Sequence, residues 1–245
     1  MGLIEGLQAA LDYLENPTAL TATSVSMCLC WLATYAGMVR KSFQDRSYSM
    51  PLMPLCCDIA FEFVFSVLYP PTEAPILQYV FGSWMAGSVM VVFATIRFMP
   101  NEWKHAPLVQ QNILSILAVT ILGWMTAHLA LVAQFGADDG SAWGGCLCQL
   151  LLGACSLCQL IVRGSSRGAS FFIWLSRFLG TNLGVLYFTL RFRHGHVIWH
   201  SPLAWWSSVI AFLIDSCYGI LLWHIRQAEG RDQQQRKAGS EIGPK

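Results

Sequence analysis

From Leu20 onward the chain alternates long apolar runs with short polar connections. A helix needs about 20 apolar residues to cross the hydrocarbon of a bilayer. Seven runs reach that length: residues 20–39, 50–69, 76–96, 113–133, 142–162, 171–190 and 203–223. None shows the charged face of a helix packed on a soluble core. The pattern predicts an all-α fold, a seven-transmembrane-helix bundle forming one membrane domain over residues 1–227. The tail over residues 228–245 is rich in Gln, Gly and charge and is expected to be disordered.

The basic residues orient this bundle. Three connections and the tail hold Arg40, Lys41, Arg46, Arg97, Lys104, Arg163, Arg167, Arg226, Arg231, Arg236, Lys237 and Lys245, twelve of the fifteen Lys and Arg. Only Arg191 and Arg193 fall on the opposite side, and Arg177 lies within a span. Loop Lys and Arg mark the cytosolic side, so the C-terminus is expected in the cytosol and the N-terminus in the lumen of the endoplasmic reticulum. Residues 1–19 carry no Lys or Arg, and thus lack the basic start of a cleavable signal. The first span is expected to act as an uncleaved anchor.

Composition agrees and removes alternatives. Of 245 residues, 55% are hydrophobic and 12% charged, against about 25% charged in a soluble domain. A net charge of +1 with no basic stripe excludes a nucleic-acid partner. All nine Cys fall inside the runs, where free thiols are mostly small packing residues. Cys155-x-x-Cys158 has no companion pair at metal-ligand spacing.

Charged side chains inside a span cost about 2.5–3.5 kcal/mol each on insertion scales, so each needs a reason. Asp58 and Glu62 in the second run, Arg177 in the sixth and Asp215 in the seventh stand out, with His128 in the fourth as a further titratable group. Asp58 and Glu62 are four residues apart and share one helix face. At ~1.5 Å per residue, Asp58 and Asp215 lie about 12 Å and Glu62 about 18 Å from the cytosolic ends. If the second and seventh helices are neighbours, Glu62 and Asp215 can face one cavity. Arg177 can neutralise one acid as a packing ion pair, but not three. In an apolar site desolvation penalises a carboxylate, leaving a neutral acid able to donate a proton at neutral pH. Phe61, Phe65 and Tyr69 follow the second-run acids, and Phe212 and Tyr218 flank Asp215. Aromatic faces attract cations without offering a nucleophile.

Several stretches resemble the small integral-membrane terpene cyclases of fungal meroterpenoid and indole-diterpene pathways. They are Met53-Pro-Leu-Cys-Cys-Asp-Ile-Ala-Phe-Glu62, Glu102-Trp-Lys-His-Ala-Pro107, Arg163-Gly-Ser-Ser-Arg-Gly-Ala-Ser170, Trp174-Leu-Ser-Arg-Phe-Leu-Gly180 and Asp215-Ser-Cys-Tyr218. The resemblance runs from about Trp31 to Trp223. It implies an enzyme without metal or cofactor that protonates the terminal epoxide, or sometimes an alkene, of a prenyl chain on an aromatic, polyketide or indole unit. A carbocation cascade then closes fused rings. A pathway prenyltransferase and epoxidase would act upstream. The family's acidic pair falls on Glu62 and Asp215, with either one as donor. Asp58 stands where Asn is common and Phe61 where Trp is common. Those two positions, with Phe65, Tyr69, His128, Arg177, Phe212 and Tyr218, are the candidate substrate-binding residues. Independently of the resemblance, Asp138-Asp139 is followed by Gly and Ser, so no D-D-x-x-D magnesium motif exists.

Two other classes share this outline. A retinal protein needs a Lys within a span, and Lys41, Lys104, Lys237 and Lys245 all lie outside. A small proton-coupled transporter would use the acids as a relay, but such proteins usually carry internal repeats and broken midplane helices, and no repeat is visible.

Overall fold

The computed structural model describes residues 17–192 and 197–241, which are helical with no strand. The helices are α1 (Pro17–Asp45), α2 (Leu52–Phe63), α3 (Ile76–Phe98), the short α4 (Pro107–Gln111), α5 (Ile113–Arg163), α6 (Phe171–Phe192) and α7 (Pro202–Glu241). Five of them, α1, α3, α5, α6 and α7, are long and apolar enough to cross a membrane. The seven runs do not map one to one onto these five. Runs 113–133 and 142–162 both fall in α5. Run 50–69 becomes α2, of 12 residues, and a five-residue π-turn over Val64–Leu68, neither of which is long enough alone to join the five.

Local chemistry explains that second element. Pro51 caps α2 and Pro54 sits in its first turn, where a missing N–H costs no hydrogen bond. At the far end the Tyr69 N–H reaches back five residues to the Val64 carbonyl at 2.8 Å. Pro70 and Pro71 then prevent continuation. Single π-turns inside helices concentrate at functional sites, and this one begins two residues after Glu62.

Helix α5 is not straight. Gly136 has φ 81° and ψ 175°, a conformation essentially reserved for glycine. A Cβ placed on Gly140 would lie 3.2 Å from the Leu131 carbonyl oxygen. Nine residues along one helix would separate them by about 13 Å, so the chain reverses at Gly136. Asp138 fastens this corner, accepting hydrogen bonds from the Thr72 hydroxyl at 2.7 Å and the Glu73 N–H at 3.0 Å.

The packing partners close a ring: α1 lies between α6 and α3, α2 between α3 and α5, and α7 between α5 and α6. Helices α2 and α7 are therefore not packed neighbours. They face each other across the interior. Beyond the bundle α7 continues to Glu241, so residues 228–241 are helical rather than disordered as their polarity led us to expect. Glu229 supplies one reason, accepting hydrogen bonds from both the N–H (2.8 Å) and the hydroxyl (2.6 Å) of Ser166. Residues 1–16 and 193–196, which include Arg193 and most of the acidic N-terminal segment, lie outside the described residues.

Candidate active site

The ring encloses a cavity of about 100 Å³. Asp58 and Glu62 line it from α2 and Asp215 lines it from α7. The aromatic rings of Trp31, Phe61, Phe81, Trp84, Phe178 and Phe212 form much of the wall. Among the described residues no Lys, Arg or His borders it.

The two expected catalytic acids are held in opposite ways. Glu62 is 1% exposed. Its Oε1 accepts a hydrogen bond from the Tyr35 hydroxyl at 2.6 Å, and its Oε2 has no partner among the described residues. Among the same residues neither Glu62 nor Asp58 forms a salt bridge. Tyr35 approaches through a gap that α3 leaves at Gly87, where a Cβ would stand 2.6 Å from the Tyr35 ring. Ser88, the next residue, adjoins both Tyr35 and Glu62.

Asp215 is instead ion-paired with Arg177 of α6. Arg177 also donates to the Ser156 hydroxyl at 3.0 Å and stacks over the Tyr218 ring, 4.9 Å from its centroid. The Trp174 indole N–H donates to the Asp215 carbonyl oxygen at 2.9 Å. The guanidinium within the spans thus takes the α7 acid and leaves the α2 acids without a counterion.

Asp58 lines the cavity beside the Cys148 thiol, and its Oδ1 is buried without a partner among the described residues. Phe61 lines the cavity, packing on Phe81 at 5.0 Å between centroids. Gly144 makes room for it, since a Cβ there would be 2.9 Å from the Phe61 ring. Phe212 also lines the cavity. The other expected binding residues do not. Phe65 is buried behind Phe61, Tyr69 is 47% exposed, and Arg177 and Tyr218 sit beneath Asp215. His128 is buried against α2, with Nε2 3.2 Å from the Cys57 carbonyl oxygen.

Cys57, His128 and Cys148 bring their ligand atoms within 4.8 Å of one another. A metal-bound imidazole usually donates its second N–H to a carboxylate or carbonyl. Here Nε2, which faces the thiols, already meets a carbonyl, and Nδ1 has no partner among the described residues. The trio therefore fits a buried polar seam better than a metal centre. Sequence reasoning missed the contact of Tyr35 with Glu62, because Tyr35 is an aromatic at an ordinary span position whose partner is 27 residues away.

Comparison with known proteins identifies the family of the chain. The family model of Pyr4-like transmembrane terpene cyclases matches residues 6–228. The chain is 44% identical over 225 residues to terpene cyclase penB of Penicillium crustosum, covering 91% of this chain and 92% of that protein. It is 44% identical over 206 residues to terpene cyclase nodB of Hypoxylon pulicicidum, covering 83% and 84%. Against terpene cyclase pyr4 of Aspergillus fumigatus it is 40% identical over 215 residues, covering 85% and 87%. No solved structure matches the chain.

Proposed function

The chain belongs to the Pyr4-like transmembrane terpene cyclases, and from that premise we propose that it is a metal-independent, proton-initiated cyclase of epoxidised prenyl chains. The substrate is a prenylated aromatic, polyketide or indole compound, made by a prenyltransferase and an epoxidase acting before it. The carrying observation is the shared cavity in which Glu62 and Asp215 stand on opposite walls among aromatic rings, with no basic side chain among its described lining residues.

Glu62 is the donor. A neutral carboxyl has one accepting oxygen and one O–H. Tyr35 donates to Oε1, which leaves the proton on Oε2. Transfer of that proton to the epoxide oxygen breaks a C–O bond and leaves a carbocation. Alkene pairs attack in turn, each forming one C–C bond and passing the charge along. Loss of a proton from the last cation ends the cascade, so the net change is an isomerisation. Asp215, ion-paired with Arg177, stands ready to accept that proton or to steady the positive charge. The aromatic wall stabilises the migrating cation by its ring quadrupoles, and Tyr35 is a positioning residue acting through Glu62.

The full architecture belongs to the same proposal. Counting the two arms of α5 separately, and α2 with its π-turn as one crossing, gives seven spans. The N-terminus is lumenal and the C-terminus cytosolic in the endoplasmic reticulum. A reporter after Lys245 should be accessible to protease in sealed microsomes, and protection of that tag would overturn the orientation. Microsomes offered a panel of epoxidised prenyl-aromatic and prenyl-indole substrates should yield cyclised isomers of unchanged mass. Activity lost with EDTA and restored by magnesium would sink the proton-initiated mechanism.

A further inference from the structure

The cavity is sealed on one side and open on the other. Its residues from α1, α2 and α3 are all buried, none more than 8% exposed. Several on the opposite side are not, although Gly180, Ser207, Ala211 and Asp215 there are buried as well. Phe178, Thr181, Asn182, Val185 and Phe188 of α6 are half-buried, as is Ser208 of α7. Phe212 of α7 both lines the cavity and is 45% exposed.

The join between α6 and α7 is correspondingly uneven. It is the least extensive of the packings that close the ring. Among the described residues, the ion pair, hydrogen bond and ring contacts between the two helices involve residues 171–178 of α6 and residues 212–226 of α7. They are Arg177 with Asp215 and Tyr218, Trp174 with the Asp215 carbonyl, Phe171 with Trp223 and Arg226, and Phe178 with Phe212 at 5.3 Å between centroids. Beyond Phe178 and Phe212, toward Ser201, the cavity residues of α7 are small or polar, namely Ser207, Ser208 and Ala211, while α6 presents Thr181, Asn182 and Gly184 alongside Val185 and Phe188.

We infer that this cleft is a lateral portal through which a prenylated substrate enters from the bilayer, chain end first, with the Phe178–Phe212 pair at its closed edge. The assignment rests on the cyclase reading, which supplies the occupant. A long prenyl chain partitions into lipid because each buried CH₂ is worth about 0.8 kcal/mol. Its route to the acids should therefore open sideways into lipid rather than into water. The aromatic pair is well suited to an edge that flexes, since ring contacts give way without breaking a hydrogen bond.

The test links the portal shut. Phe178→Cys and Phe212→Cys are introduced together and joined by a short, reducible bifunctional reagent in protein embedded in liposomes. The probe is a tritiated geranylgeranyl-indole without an epoxide, so binding is read without chemistry. Linking should slow both uptake and release of the probe by at least a hundredfold, and reduction should restore them. Each single-Cys variant treated with the same reagent, which controls for the exposed native Cys158 and Cys217, should take up and release the probe as the same variant does untreated. Unchanged uptake and release in the linked double variant would overturn the portal. Turnover of the epoxidised substrate is followed in parallel in the unlinked protein. Gated binding without cyclisation would leave the portal standing and refute the cyclase mechanism instead.

Discussion

The two walls of the cavity use the same kind of side chain for different ends. On α2, Glu62 is fixed by a neutral hydroxyl and meets no cation among the described residues. On α7, Asp215 is fixed by a buried guanidinium that is itself held by Ser156 and Tyr218. Pairing decides the chemistry open to each. On the proposed mechanism the unpaired acid gives the proton and the ion-paired acid steadies or receives positive charge. The contrast would then give the cavity a direction, from α2 toward α7.

The largest effect should come from removing the proton itself. General acid catalysis contributes roughly 10²–10⁴-fold, so Glu62→Gln should lower turnover by at least that range. The amide still accepts the Tyr35 hydrogen bond, so thermal stability in detergent should hardly move. Asp215→Asn should also cost about a hundredfold or more in turnover, but with a different signature. Breaking a buried pair by removing one partner costs about 3–5 kcal/mol, because the other charge is left uncompensated. The melting temperature should therefore fall clearly for Asp215→Asn and not for Glu62→Gln. Equal stability losses in the two variants would erase the proposed difference between the walls.

Much of this contrast is legible in the sequence, though not its assignment. The energetic cost of charge in lipid singles out Asp58, Glu62, Arg177 and Asp215 directly, and helical spacing puts Asp58 and Glu62 on one face. Spacing says nothing about which helices meet. That Arg177 chooses Asp215, and that α2 and α7 oppose each other across the ring instead of packing together, are tertiary facts. Tyr35 is invisible in the sequence for the same reason. Tyr69 departs from expectation for a local one: the π-turn over Val64–Leu68 adds a residue to the turn and rotates the next side chains off the acid-bearing face. The break within α5 carries a signal, Gly136 beside Asp138-Asp139. Its role as the corner between two apolar runs fits the gap between residues 133 and 142. The helical continuation of α7 has no apolar pattern to announce it and depends on contacts such as Glu229 with Ser166.

A smaller effect tests how Glu62 is aimed. Tyr35→Phe removes one hydrogen bond, worth about 0.5–1.5 kcal/mol, and keeps the ring. Loss of aim should lower kcat roughly tenfold while KM stays near its normal value, because substrate still fills the same cavity. Gly87→Ala should imitate it without touching the hydroxyl, since the new methyl would displace the ring. A rise in KM with kcat unchanged would make Tyr35 part of the binding wall instead of a positioning residue.

The smallest effect should be Asp58→Asn, and it bears most directly on whether α2 carries one acid or two. Asp58 shares a face with Glu62 and lines the same cavity. Among the described residues its Oδ1 nevertheless has no hydrogen-bond partner and Asp58 forms no salt bridge; the Cys148 thiol adjoins it, but no hydroxyl aims it as Tyr35 aims Glu62. Asparagine has the same size, can still accept a hydrogen bond from Cys148 and adds donors where Oδ1 now has none. Turnover should stay well above the ~10²-fold loss expected for a missing general acid, with the product pattern intact. If Asp58→Asn instead matched Glu62→Gln in severity, the two carboxyls would be acting as one unit whose protons cannot be assigned to either alone. The donor would then be the α2 face as a whole, and the contrast would run between a coupled pair and an ion pair.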